Sequence, residues 1–180
     1  MIQPPAKYAT GIRFGLITGL IYAVLLFLRY HFFADSPISF RILALVSYLI
    51  VLVLYFLAGR SRKKQLKDYA DFRDIFQTIF LAILITEAVY VIFTSVYLKY
   101  IDPSFWDNFR TVSRNFLEKS GMSQEKIDIQ MKNFDEANRE MTPWGLVKGY
   151  GTWVIIDSII GMIYSSILRK KRDIIPETKL

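Results

Sequence analysis

The chain has 180 residues, 53% hydrophobic and 22% charged, with a mean hydropathy of +0.28. Those figures coexist where charge is gathered into blocks, and a formal charge of +7 held in particular loops reads as an address for a membrane before a nucleic-acid signal. The absence of cysteine excludes disulfides, thiol nucleophiles and Cys-type zinc sites, and His31, the single histidine, cannot build a histidine metal cluster alone.

The first apolar run, 14–28, lies between Arg13 and Arg29 and extends through Tyr30 and His31 to Phe33, giving a span over about 12–33. A secretory signal peptide is the competing reading, but no small-x-small cleavage site follows, so an uncleaved span is expected. His31 sits among aromatics at a membrane boundary, where an interfacial role is the ordinary one. Gly11, Gly15 and Gly19 recur every four residues, a spacing that lets two helix backbones approach closely.

Asp35-Ser36-Pro37 makes a short turn into a second span, 37–58, with Ser36 as cap and Pro37 at the first helical position. Over 42–57 its only polar groups are Ser47, Tyr48 and Tyr55, which predicts the most lipid-exposed of the spans. The block 60–67, Arg-Ser-Arg-Lys-Lys-Gln-Leu-Lys, is the strongest charge cluster in the chain. Asp71 and Asp74 then suit the first turn of a third helix. Asp68, Asp71 and Asp74 are also spaced by three, as metal-holding carboxylates can be, but no further ligand motif accompanies them and capping is the expected role.

The third span, 75–98, is almost wholly apolar and carries one carboxylate, Glu87, at its middle. A hydrocarbon core of roughly 30 Å needs about 20 residues of helix, so the run is long enough to cross. The polar region 99–143 follows. Phe105, Phe109, Val112 and Phe116 repeat at helical spacing up to Gly121, and Ile127, Met131, Phe134, Asn138 and Met141 do so after Ser123. Acids and bases balance there, which predicts a helical hairpin lying on the bilayer or on the bundle. A fourth span, 144–168, holds Asp157 near its centre and is stopped by Arg169-Lys170-Lys171-Arg172.

Four spans put both basic clusters and the N-terminus on one side, and the positive-inside rule makes that side cytoplasmic. Glu87 and Asp157 then lie at matched depth, about 18–20 Å from the cytoplasmic boundary. An ionised acid there, with no Lys or Arg at the same depth, is costly. Two readings stand: neutral acids hydrogen-bonded to Tyr90, Thr94, Ser158 or backbone carbonyls and holding helices in register, or a proton or cation pathway. Gly161 and Ser165 on the fourth span match Gly15 and Gly19, predicting that spans one and four touch. Trp106 and Trp144 suit an aromatic belt, and Trp153 is expected beside Asp157. The 60–67 loop could take anionic headgroups. No Gly-rich phosphate loop, His-Glu-x-x-His, Gly-x-Ser-x-Gly or paired His/Ser arrangement is present.

The chain resembles a domain-of-unknown-function family of short, four-span bacterial inner-membrane proteins. The resemblance rests on Gly15-Leu16-Ile17-Thr18-Gly19-Leu20-Ile21, on the basic loop leading to Asp71-Phe72-Arg73 and on Tyr100-Ile101-Asp102-Pro103. Thr142-Pro143 and the ending over 159–171 extend it across nearly the whole chain. It implies a fold and a location and no activity.

The expectation is therefore one all-α membrane domain, 1–180: a four-helix transmembrane bundle with an extracytoplasmic hairpin at 99–143. It is expected in the bacterial inner membrane with both termini cytoplasmic. The expected role is structural or accessory and non-enzymatic. The alternative is a small proton- or cation-coupled transporter or channel-like subunit using Glu87 and Asp157. No cofactor, metal or nucleic acid is expected. The expected partners are the bilayer, anionic headgroups at the basic loop, and a second copy or another membrane protein.

Overall fold

A computed structural model of the chain describes residues 8–139 and 142–170. Within them the chain is all-α: α1 (Ala9–Phe32), α2 (Pro37–Gln65), α3 (Phe72–Val96), a π-helical turn (Tyr97–Ile101), α4 (Phe105–Lys119), α5 (Gln124–Arg139) and α6 (Pro143–Leu168). Four helices are long and apolar enough to cross a membrane: α1, α2, α3 with its π turn, and α6. Lys171 and Arg172 of the second basic cluster, and Met141 of the hairpin pattern, lie outside the described residues.

Local chemistry sets most of the boundaries. Ser36 Oγ accepts the Ser39 amide at 3.3 Å, and Pro37 occupies the first turn of α2. Thr142 caps α6 in the same way, its hydroxyl accepting the Gly145 amide at 3.1 Å. Asp71 begins α3 through its carbonyl, which accepts from Asp74 and Ile75, and its carboxylate makes no capping bond. The second helix runs past the expected end at residue 58 into the basic block, because Arg60, Arg62, Lys63, Lys64 and Gln65 are good helix formers whether or not an apolar layer surrounds them. It stops where Lys67 and Asp68 adopt positive φ (55° and 64°) and the Asp68 amide turns back to the Lys63 carbonyl.

The third helix is the hub, packing against α1, α2 and α6. Its inward residues Ile75, Ile79, Ala82 and Ile83 form a core with Val51 and Tyr55 of α2 and Leu168 of α6. A second, largely aromatic core roofs one end of the bundle: Leu26, Tyr30, Phe40 and Tyr97 receive Phe105 and Phe109 from α4. The two helices α4 and α5 form a helical hairpin. It turns at Gly121 (φ 73°) in a Schellman-type cap, with the Met122 amide bonded to the Leu117 carbonyl. Arg110 grips Asp135 with two hydrogen bonds, at 2.7 and 3.0 Å, and Arg114 reaches Asp128 at 3.6 Å, so charge pairs lace α4 to α5. That bidentate contact keeps the Arg110 guanidinium charged above its ordinary range.

Outward surfaces are apolar. Leu16, Leu20 and Val24 of α1, Ile42, Leu45, Leu49 and Val53 of α2, and Ile155, Ile159, Ile163 and Ile167 of α6 are all exposed. Such a surface is stable only under a hydrocarbon cover. One expectation is corrected: the least buried span is α6, not α2. The polar side of α2 turns inward, with Ser47, Val51, Tyr55, Ala58, Gly59 and Arg62 buried, whereas α6 packs chiefly on α3.

Candidate functional site

Helical spacing gathers the polar groups of three spans at mid-depth. Asp157 on α6 is fully buried, and Glu87 on α3 is 5% exposed. Ser47, Val51 and Tyr55 lie four apart on the buried stripe of α2, and Tyr48 lies at its edge, so α2 presents two phenols to the acids. The Tyr48 hydroxyl donates to Asp157 Oδ1 at 2.8 Å. The Tyr55 hydroxyl also lies beside Asp157, and neither it nor Asp157 Oδ2 closes a hydrogen bond of good geometry among the described residues. Glu87 stands within electrostatic reach of Asp157. Tyr22 and Tyr90, stacked at 5.6 Å, lie on its other flank between α1 and α3.

Trp153, one turn from Asp157, is partly exposed, and its ring lies 5.8 Å from that of Tyr48. It therefore covers the phenol that holds the acid. Ser158 and Ser165 bond carbonyls of their own helix, Val154 and Gly161. The hydroxyl that reaches Asp157 thus comes from the second span, not from Ser158, Tyr90 or Thr94. Its sequence signal was the seven-residue interval between Tyr48 and Tyr55, which sets both on one side of an otherwise apolar helix.

The glycines also find a different neighbour from the one expected. A Cβ at Gly11 would stand 2.8 Å from the Thr78 carbonyl oxygen, at Gly15 2.8 Å from Ile85 Cβ, and at Gly19 2.9 Å from Val89 Cγ2. All three contacts are on α3. Gly161 faces α3 as well, with Ile79 Cγ2 3.1 Å from its added Cβ. Spans one and four therefore use their small residues to approach the same helix from different flanks, and α3 stands where their mutual contact was expected. Thr86 strengthens the α1 contact, its hydroxyl donating to the Gly15 carbonyl at 3.4 Å.

One buried charge was missed. Arg62, in the basic block, is only 5% exposed; one guanidinium nitrogen meets Gln65 Oε1 at 3.4 Å, and Thr10 of α1 donates to the same oxygen at 2.8 Å. The end of α6 meets the α2–α3 turn just past the basic block: the Lys170 amide donates to the buried Ala70 carbonyl at 3.0 Å, and Lys170 Nζ lies 5.4 Å over the Tyr69 ring. Among the described residues no group of three or more His, Asp or Glu side chains converges as metal ligands would.

Four long apolar helices with an inward polar cluster and an outward apolar belt define a multi-pass helical membrane protein. The sequence pattern of a family described as "Protein of unknown function (DUF4199)" matches residues 13–170. The chain belongs to that family. No curated protein and no solved structure matches it.

Proposed function

We propose that the protein is a non-enzymatic structural or accessory component of the bacterial inner membrane, whose buried acids fasten the bundle that presents the hairpin. Both termini are cytoplasmic in this reading, and the hairpin is extracytoplasmic. The contact of Lys170 with Tyr69 and Ala70, two and three residues past the 60–67 block, supports it, because it sets both basic clusters at one end of the bundle. The observation that carries the structural role is the Tyr48–Asp157 hydrogen bond, which joins α2 to α6 at a fully buried carboxylate. The bilayer is the first partner, with anionic headgroups at the basic block 60–67 and a second copy or another membrane protein as further ones.

The loosely held Asp157 Oδ2 and Tyr55 hydroxyl favour a second reading, in which Glu87 and Asp157 form part of a proton or cation pathway. Proton flux into proteoliposomes separates the two. The structural reading expects no protein-dependent flux, and a Glu87→Gln, Asp157→Asn double variant that folds as the parent does. Flux in the parent that the double variant loses, with its fold intact, would replace the structural reading by the transport one.

A further inference from the structure

We propose that the groove between the first turn of α2 and the hairpin binds one anionic phospholipid from the leaflet on the hairpin side. The groove has a volume of about 510 Å³ and is walled by Ile38 and Arg41 of α2, Phe109 and Phe116 of α4, and Gln130 and Asn133 of α5, among others. That volume is in the range that takes a small organic group.

Its chemistry is graded along one direction. Gln130 and Asn133 bring amides, which both donate and accept, to the hairpin side. Arg41 stands in the second turn of a membrane span and is exposed, and the ion pairs of the described residues lie within the hairpin and leave its guanidinium without a carboxylate. A forked guanidinium is the side chain best shaped for a phosphate diester. Ile38 above it and Ile42, Leu45 and Leu49 below it, at intervals of four, three and four, form one exposed apolar stripe. From Arg41 to Leu49 the helix rises about 12 Å, a track along which an acyl chain can lie.

The continuity of groove and stripe selects a lipid over other anions or a peptide. The groove opens onto the surface that hydrocarbon must cover, and its cation stands where a bilayer carries its phosphates. A phosphatidylglycerol molecule would place its phosphate on Arg41, its glycerol headgroup against Gln130 and Asn133, and one chain along Ile42 and Leu45.

Native mass spectrometry of the full chain, released from mild detergent after equal exposure to phosphatidylglycerol and phosphatidylcholine, tests this. The expected result is one retained phosphatidylglycerol, preferred at least tenfold. Arg41→Gln should abolish the preference, and Asn133→Trp, which fills the groove from an exposed position, should remove the adduct. Lys99→Gln deletes another exposed cation at the same end of the bundle and should change neither. Absence of a preferred lipid, equal loss in Lys99→Gln, or an adduct that survives both groove variants would overturn the proposal. So would displacement of the lipid by millimolar inorganic phosphate, or a protein in the groove that Asn133→Trp releases.

Discussion

One added methyl group at Gly15 would stand 2.8 Å from Ile85 Cβ and 3.1 Å from the Ala82 backbone, neither of which can swing aside. Gly15→Ala should therefore push α1 off α3 and lower stability in detergent by about 1–3 kcal/mol, the usual cost of overpacking. Leu16→Phe, on the exposed side of the same helix, should be within about 0.5 kcal/mol of the parent. Gly149 and Gly151 of α6 are the converse case, since a Cβ at either meets nothing within 4 Å. Replacing either by Ala should raise stability by roughly 0.5–1 kcal/mol, because only the entropic penalty of a mid-helix glycine is removed. Thermal unfolding of the four variants ranks them, and equal effects at Gly15 and Gly151 would contradict the α1–α3 contact. The glycine periodicity was legible in the sequence, but the partner helix was not. A stripe of small residues says that a backbone comes close; it carries no sign of which one.

At the scale of the element, the roof and the α2 stop are the informative parts. Phe105 is 2% exposed, with ring contacts to Tyr30, Phe40, Tyr97 and Phe109. Phe105→Ala should cost about 3–5 kcal/mol and make the backbone of α4 and α5 exchange hydrogen faster than that of α3. Uniform exchange across the chain would show that the hairpin is not seated there. The Lys67 backbone at φ 55° carries the left-handed penalty of a residue with a Cβ. Lys67→Gly should stabilise the α2–α3 turn by about 1 kcal/mol, and a loss of stability on thermal unfolding would contradict the strain. Spans and hairpin were legible from apolar length, Ser36-Pro37 and Gly121, which act locally. The π turn at Tyr97–Ile101 and the extension of α2 to Gln65 were not. The first answers the seating of Phe105 against Tyr97, a contact eight residues away in sequence. The second lies beyond the apolar layer, where hydropathy no longer marks a helix.

For the whole molecule, α6 is the helix with most to gain from a polar tie, being the least buried of the four spans. It meets α3 along Gly161, donates from Tyr150 to the Leu84 carbonyl at 3.4 Å, and reaches α2 through the Tyr48–Asp157 bond. The acids themselves were visible in the sequence as isolated carboxylates in apolar runs. The phenol that holds Asp157 was obscured because a helix apolar on nearly every side offers little periodicity to read. Orientation can be tested directly, since the chain has no cysteine of its own. A single cysteine at the exposed Asn115 should react with a membrane-impermeant label on intact cells, and one at the exposed Lys64 should not; the reverse pattern would invert the topology. The central claim, that the buried acid is a tie between helices, is tested most directly by a double-mutant cycle of Tyr48→Phe and Asp157→Ala on unfolding in detergent. The account predicts a coupling of about 0.6 kcal/mol, and up to about 1.7 if the bond is among the stronger of its kind. Strictly additive losses, with no coupling beyond error, would contradict it.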